Sequence, residues 1–239
     1  TVSTAATAEL TAKTTNYAGS RWESPEVKKL MAKIPDAKSK TFFDLALSSD
    51  KTIALFAENR HLSMETLGKK ESGIQFHLVR ASADEVITFN IPELKKIKDY
   101  GAIKILPGTN VLIQKQSVLI ESAKTVNDGR NETVDREVTY RDWYIYDWGS
   151  KKLYDVDTEV SSVLDGSNRS FTLMSPDSRF IVWADGGKEK VVAYDTVTKE
   201  KKKLEKEFYE IQNMEFVSNI KLMVLDKKWI TSISAIDLL

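Results

Sequence analysis

Short apolar runs closed by polar turns recur along most of this chain, and the clearest set lies between Ser170 and Leu204. Phe171, Leu173 and Met174 precede the turn Ser175-Pro176-Asp177-Ser178, and Phe180-Ile181-Val182-Trp183-Ala184 follows it. Proline presets φ for the second turn position, while Ser and Asp side chains bond neighbouring backbone N–H groups. The β-branched and aromatic run that follows suits a buried strand and is too short for a helix. Asp185-Gly186-Gly187-Lys188 is a tight-hairpin signal, because glycine accepts the φ > 0 that such turns need. Val191 to Tyr194 then reads as a third strand, Asp195 to Glu200 as a polar turn, and Lys201 to Lys206 as an outer strand carrying Leu204. The unit is an antiparallel meander.

Weaker versions precede and follow it. From Thr41, Phe42 to Leu47 leads to the turn Ser48-Ser49-Asp50-Lys51 and the strand Thr52 to Phe56, then Ile74 to Val79 and Glu85 to Phe89. A second copy starts near Ala102, turns at Pro107-Gly108-Thr109-Asn110 and continues through Val111 to Gln114, with Val118-Leu119-Ile120 extending the hairpin. The polar, turn-rich stretch Ala123 to Val138 reads as an exposed insertion that interrupts this copy. Asp142 to Asp147 resumes it, and Leu153 to Val156 returns. A fourth copy runs from Ile211 through the turn Val217-Ser218-Asn219 and ends, after Trp229 to Asp237, on its third strand.

Ahead of the repeats the pattern changes. Ser24-Pro25-Glu26 is a helix start, with Ser as N-cap, Pro in the first position and an acid in the first turn. Val27, Leu30, Met31 and Ile34 then fall on one helical face, and Pro35-Asp36 stops it. Thr1 to Ser20 is small and polar, either an unstructured arm or a strand added to a sheet elsewhere. The expected organisation is an all-β, propeller-like array of about four antiparallel meander blades with a short N-terminal helix. Residues 1–40 form the arm and helix, and 41–239 the array, with blades near 41–100, 101–165, 166–208 and 209–239. A propeller needs its first and last blades to close. The incomplete last blade therefore calls for Thr1 to Leu10 as the missing strand, a continuation past Leu239, or a second chain.

Composition narrows the function classes. The 35 basic and 35 acidic residues leave no net charge and no electrostatic case for nucleic acid. No apolar run approaches the length of a membrane-spanning helix. With no cysteine and only His61 and His77, thiol chemistry, disulfides and multi-histidine metal sites are set aside. The Ser/Thr/Ala-rich start points to an exported, periplasmic or extracellular protein, with a cytoplasmic one as the alternative.

The Ser-Pro-Asp turn, Phe180 to Trp183 and the run Val191 to Glu200 resemble the blade repeat of TolB-type propellers. The same blade occurs in the propeller domain of prolyl-oligopeptidase-like serine peptidases. Ser178-Arg179 stand where those blades commonly carry Gly, and Lys199-Glu200 replace their Gly-Lys. The resemblance implies a fold. It leaves function open, because peptidases, binding modules and assembly factors share the blade.

A peptidase would need a Gly-x-Ser-x-Gly nucleophile elbow. Gly149-Ser150 and Gly166-Ser167 lack the rest of that pattern, and no cofactor motif is present. Asp155, Asp157 and Glu159 alternate like a calcium loop, but Val160 replaces the glycine such a loop requires, so a solvated acidic turn is expected. Asp128, Asn131 and Glu132 offer cation-binding oxygens only as a minor reading. Asn131-Glu132-Thr133 and Asn168-Arg169-Ser170 match glycosylation acceptors. His61 reads as a loop residue and His77 as a satisfied strand residue. Trp143, Tyr144, Tyr146 and Trp148 are the candidate ligand-contact aromatics, with sheet packing as the competing role.

The expectation is a non-enzymatic propeller that binds or assembles with a protein partner, or with a downstream domain completing it. The alternatives are the gating part of a serine peptidase whose catalytic domain lies outside this chain, and a carbohydrate-binding propeller.

Overall fold

In the computed structural model, the chain is described at residues 19–60, 73–94, 97–127, 130–166, 171–184, 190–227 and 231–239. The arm Thr1 to Ala18, most of the expected loop after Arg60, the Gly186-Gly187 hairpin and the sequon at Asn168 lie outside these residues.

Four antiparallel meanders follow one another along the sequence. The first is β1 (Phe42–Leu47), β2 (Ile53–Arg60), β3 (Gly73–Arg80) and β4 (Val86–Asn90). The second is β5 (Tyr100–Ile105), β6 (Asn110–Asn127), β7 (Arg130–Asp147) and β8 (Lys152–Asp155). β9 (Thr172–Met174), β10 (Phe180–Ala184), β11 (Lys190–Asp195) and β12 (Glu200–Glu207) make the third. The fourth has three strands among the described residues, β13 (Ile211–Phe216), β14 (Lys221–Lys227) and β15 (Thr231–Asp237). Each sheet pairs strictly neighbour to neighbour, so the array is propeller-like and no barrel closes among the described residues.

Packing explains why some strands read as unbroken apolar runs. Tyr100, Ile103, Val111, Ile113 and Tyr146 of the second sheet pack against Leu55, Ile74, Phe76 and Leu78 of the first. The other face of the second sheet presents Leu112, Trp143 and Ile145 to Ile181, Trp183, Val192 and Tyr194 of the third. The third in turn offers Phe180, Val182, Val191 and Ala193 to Met214, Leu222 and Val224 of the fourth. A strand sandwiched between two layers buries both faces and needs apolar residues at consecutive positions rather than alternate ones. β10 does this along its whole length, Phe180 to Ala184 all being buried. β14, covered on one side, alternates: Leu222 and Val224 are buried while Met223 and Leu225 are half-buried.

The outer face of the first sheet is closed by the helix Pro25–Met31. Ser24 caps it, its Oγ accepting from the Val27 N–H at 3.2 Å. Val27, Leu30, Met31 and Ile34 pack on Phe42, Ala54, Phe56 and Val79. Burying side chains of this size stabilises by roughly 1.5–3 kcal/mol each.

Two features differ from the sequence reading. Ala123 to Val138 is not an insertion interrupting a blade. β6 and β7 stay in register from the pair Asn110–Asp147 to the pair Asn127–Arg130, so the turn-rich Asn127 to Asn131 stretch marks the far end of one hairpin. Polar residues are tolerated there because beyond Lys115, among the described residues, no third strand pairs with the ribbon. The second difference is the helix Thr158–Leu164, where an acidic turn was expected. Asp157 is its N-cap, with Oδ1 accepting from the Glu159 N–H at 2.9 Å, and Val160 and Val163 turn into the core. Local acidity obscured a capping residue followed by apolar positions three apart.

Candidate functional site

The innermost strands of the first two sheets adjoin, and β1 and β5 wall a groove of about 830 Å³. Phe43 to Leu47 line one side and Tyr100 to Ile105 the other, with Arg21, Lys98, Gln116 and Ser178 at its margins. At the bottom, Asp44 Oδ2 accepts from the Tyr100 hydroxyl at 2.5 Å, and Asp44 Oδ1 accepts from the Leu45 N–H at 2.7 Å. Burial, followed by the neighbouring Asp44 charge, holds the Tyr100 phenol well above its usual pKa, so it is a permanent donor. Lys104 is reached by solvent yet enclosed by the groove, and this desolvation lowers its ammonium pKa.

One end of this groove opens onto a second concavity of about 610 Å³. Its lining joins the equivalent turn of every sheet: Ser48 to Asp50, Pro107 and Gly108, Pro176 to Ser178, and Asn219. Two of these turns are the same device built twice. Ser48 Oγ donates to Asp50 Oδ1 at 2.6 Å and accepts from the Ile53 N–H at 2.9 Å. Ser175 Oγ donates to Asp177 Oδ1 at 2.6 Å and accepts from the Phe180 N–H at 2.9 Å. Lys51 and Ser178 occupy the same left-handed position, at φ 58° and 62°. The residue at Gly108, φ 71°, gives the second sheet a shorter version.

A further turn pairs with this one. Asp147 Oδ1 accepts from the N–H groups of Gly149 at 2.9 Å and Ser150 at 3.3 Å, while Asp195 Oδ1 accepts from Val197 at 2.8 Å and Thr198 at 3.4 Å. Arg179, the residue after the left-handed Ser178, bonds Asp195 Oδ2 through Nε at 3.1 Å and a terminal nitrogen at 2.8 Å. It ties the two turns of the third sheet together. Burial raises the Asp195 pKa, but Arg179 and the turn N–H groups outweigh it and leave the carboxyl below its ordinary value. Lys199 sits at φ 65° where the repeat usually has glycine, and its ammonium lies 4.0 Å from the Tyr154 ring centroid.

The four candidate aromatics do not form one surface. Trp143 is buried toward the third sheet, its indole N–H donating to Asp165 Oδ1 at 2.8 Å. Tyr146 is buried toward the first sheet, stacked on Phe89 at 5.8 Å, with its hydroxyl donating to the Asn90 carbonyl at 3.2 Å. Successive strand residues face opposite ways, which separates Trp143 from Tyr146. Tyr144 and Trp148 are half-buried; Trp148 stacks on Phe89 at 6.4 Å and lines the turn-end concavity.

His77 is buried in β3 with Nε2 at 2.6 Å from Glu58 Oε2 and Nδ1 at 3.3 Å from Thr88 Oγ1. Burial lowers its pKa, and Glu58 opposes that shift. Glu58 also holds Lys40 at 3.1 Å, so the group is a closed structural network. His61 and Asp128 lie outside the described residues, as do the side chains of Asn131 and Glu132. Asp157 and Glu159 each hold the Lys201 ammonium at 3.0 Å. Among the described residues no cluster of three or more His, Cys, Asp or Glu is placed to hold a metal, and no helix is long and apolar enough to cross a membrane.

No family model and no curated protein sequence matches this chain. Among solved structures it is similar to Kuenenia stuttgartiensis hydrazine synthase, at 7% identity and a TM-score of 0.33, covering 81% of this chain and 57% of that one. The AtxE2 isopeptidase in its apo form gives 7% identity and a TM-score of 0.31, over 83% of this chain and 38% of that one. A Mycobacterium tuberculosis puromycin-hydrolyzing peptidase gives 12% identity and a TM-score of 0.26, over 84% and 37%. The chain thus spans between about a third and three fifths of these proteins, and likeness at such TM-scores decides nothing about its activity.

The groove residues Phe43, Asp44, Tyr100 and Lys104 went unnoticed in the sequence. The one available signal was position: each lies on the strand just ahead of a repeat turn, where a meander array places its innermost edge.

Proposed function

We propose that this chain is a non-enzymatic binding module whose partner contacts the groove between β1 and β5 and the turn face at its end. The observation that supports this reading is convergence: the equivalent turn of all four sheets lines one concavity, and it adjoins the groove between β1 and β5. A rigid scaffold with its irregular backbone gathered at one end is a common way to present contacts. The carboxylates there are engaged in holding shape. Asp44 is taken up by Tyr100 and Leu45, and Asp50 and Asp177 by their own turns.

Peptides selected against the purified chain from a random display library test the reading by hydrogen–deuterium exchange. Slowed exchange at residues 43–47 and 98–105 on complex formation is expected. Protection confined to other strands overturns the placement, and turnover of a peptide or ester panel by the chain alone overturns the non-enzymatic assignment.

A further inference from the structure

The groove is electrostatically one-sided although the whole chain carries no net charge. Arg21, Lys98 and Lys104 line it, and none has a carboxylate within salt-bridge distance among the described residues. The one acid in the lining, Asp44, is fully engaged at the floor by the Tyr100 hydroxyl and the Leu45 N–H. Several basic side chains elsewhere do meet acids: Lys40 meets Glu58, Arg179 meets Asp195, and Lys201 meets Asp157 and Glu159. The three groove cations differ from these in facing one shared concavity with no acid of their own. The Lys104 charge is held close to a low-dielectric wall, as its lowered pKa reflects, and an anion seated in the groove would relieve that cost.

Shape narrows the anion further. β1 and β5 each end their sheet, so along both walls alternate backbone N–H and C=O groups lack a sheet partner among the described residues. Apolar side chains that are only half-buried, Phe43, Leu47 and Ile105, stand in the lining beside the polar Asp44 and Lys104. An extended chain satisfies edge backbone groups and sends successive side chains in alternate directions. A bare phosphate or other compact anion would use the cations and leave both the edges and the apolar positions untouched. Resting on the binding reading above, we propose that the groove takes an extended peptide segment that alternates carboxylate and apolar side chains, with Arg21, Lys98 and Lys104 recognising the carboxylates.

Fluorescence anisotropy with a dye-labelled octapeptide of alternating Glu and Leu tests this, beside counterparts carrying Gln or Lys in place of Glu. The acidic peptide should bind the native chain, more weakly as salt is raised. The Lys peptide should not bind. Lys104→Glu should weaken the acidic peptide about tenfold and admit the Lys peptide, whereas Lys227→Glu, on an exposed position of β14, should change neither. Lys104→Gln provides a second variant, weakening the acidic peptide without admitting the basic one, should the reversal disturb folding. Equal binding of all three peptides, indifference to both Lys104 variants, or complete displacement by millimolar inorganic phosphate overturns the inference. If the Gln peptide binds as tightly as the Glu peptide and Phe43→Ala weakens both, the carboxylate class fails while the groove remains the binding site. If no octapeptide binds and library-selected peptides protect other strands, both readings fail.

Discussion

The hairpin of β6 and β7 is one continuous ladder, yet its two halves live in different solvents. At the base, residues 110–115 and 142–147 are flanked by β5 and β8 and lie between the first and third sheets. Ile113 and Ile145 are 1% and 0% exposed there. Past Lys115 the same two strands continue as a two-stranded ribbon, where Leu119 is 55% and Ile120 71% exposed. Backbone pairing is identical in both halves, so the ladder itself is not what distinguishes them. Burial is. An isolated hairpin is marginal in water, and the ribbon persists as an extension of strands fixed by the sheet at its foot.

The largest expected effect tests the buried half. Ile145→Ala should cost about 3 kcal/mol in chemical denaturation, because both the transfer energy and a cavity between two sheets are lost. A loss below about 1 kcal/mol would show that the base is no better packed than the ribbon. Removing residues 118–139 and joining the stumps through Asn-Gly should change stability by no more than about 1 kcal/mol, since few contacts other than the ladder go with them. Unfolding on that deletion would mean the ribbon carries the second sheet.

Asp147, at the foot of β7, supplies a pH test. Desolvation raises its pKa, but Thr109, Ser150 and the turn N–H groups prevail and keep it below the usual carboxylate value. Its contribution is therefore fully present above the unfolded pKa near about 4 and is lost as pH falls through the lower folded value. Asp147→Asn should flatten the decline of stability below about pH 4, and an unchanged acid limb would remove the turn from that account. Smaller still, Lys151 holds φ 58° in the β7–β8 turn, and Lys151→Gly should raise stability by about 0.5 kcal/mol, the left-handed strain relieved exceeding the added unfolded-state entropy. Ile120→Ala, at the exposed end of the scale, should stay within about 0.5 kcal/mol.

How much of this was legible depended on whether the relevant physics was local. The helix start at Ser24-Pro25-Glu26 and the Ser-x-Asp turns could be read directly, because a cap or turn is specified by side chains bonding backbone a few residues away. The helix Thr158–Leu164 was hidden, since Asp157 at its start also belonged to an acidic string that suggested another motif. The extent of the hairpin was hidden too. Polar residues at exposed strand positions look like loop residues, and nothing local says that two distant runs pair in register.

The candidate site stood at the far end of that scale. Asp44 and Tyr100 meet at 2.5 Å from different sheets, and Lys104 gains its surroundings only when β1 and β5 adjoin. The candidate aromatics show the same limit from the other side: close in sequence, Trp143 went to one inter-sheet layer and Tyr146 and Trp148 to another.

By itself, then, the sequence determined the repeat: four meanders, their turns, and the unbroken apolar strands Phe180 to Ala184 and Val111 to Ile113 that require cover on both faces. Those follow from hydrogen bonds and periodicities that act within one hairpin. Tertiary structure alone decided which faces met, which edges became a groove and which cations were left without a carboxylate. Charge pairing and concavity are relations between segments far apart in the chain, and they exist only once the sheets are stacked.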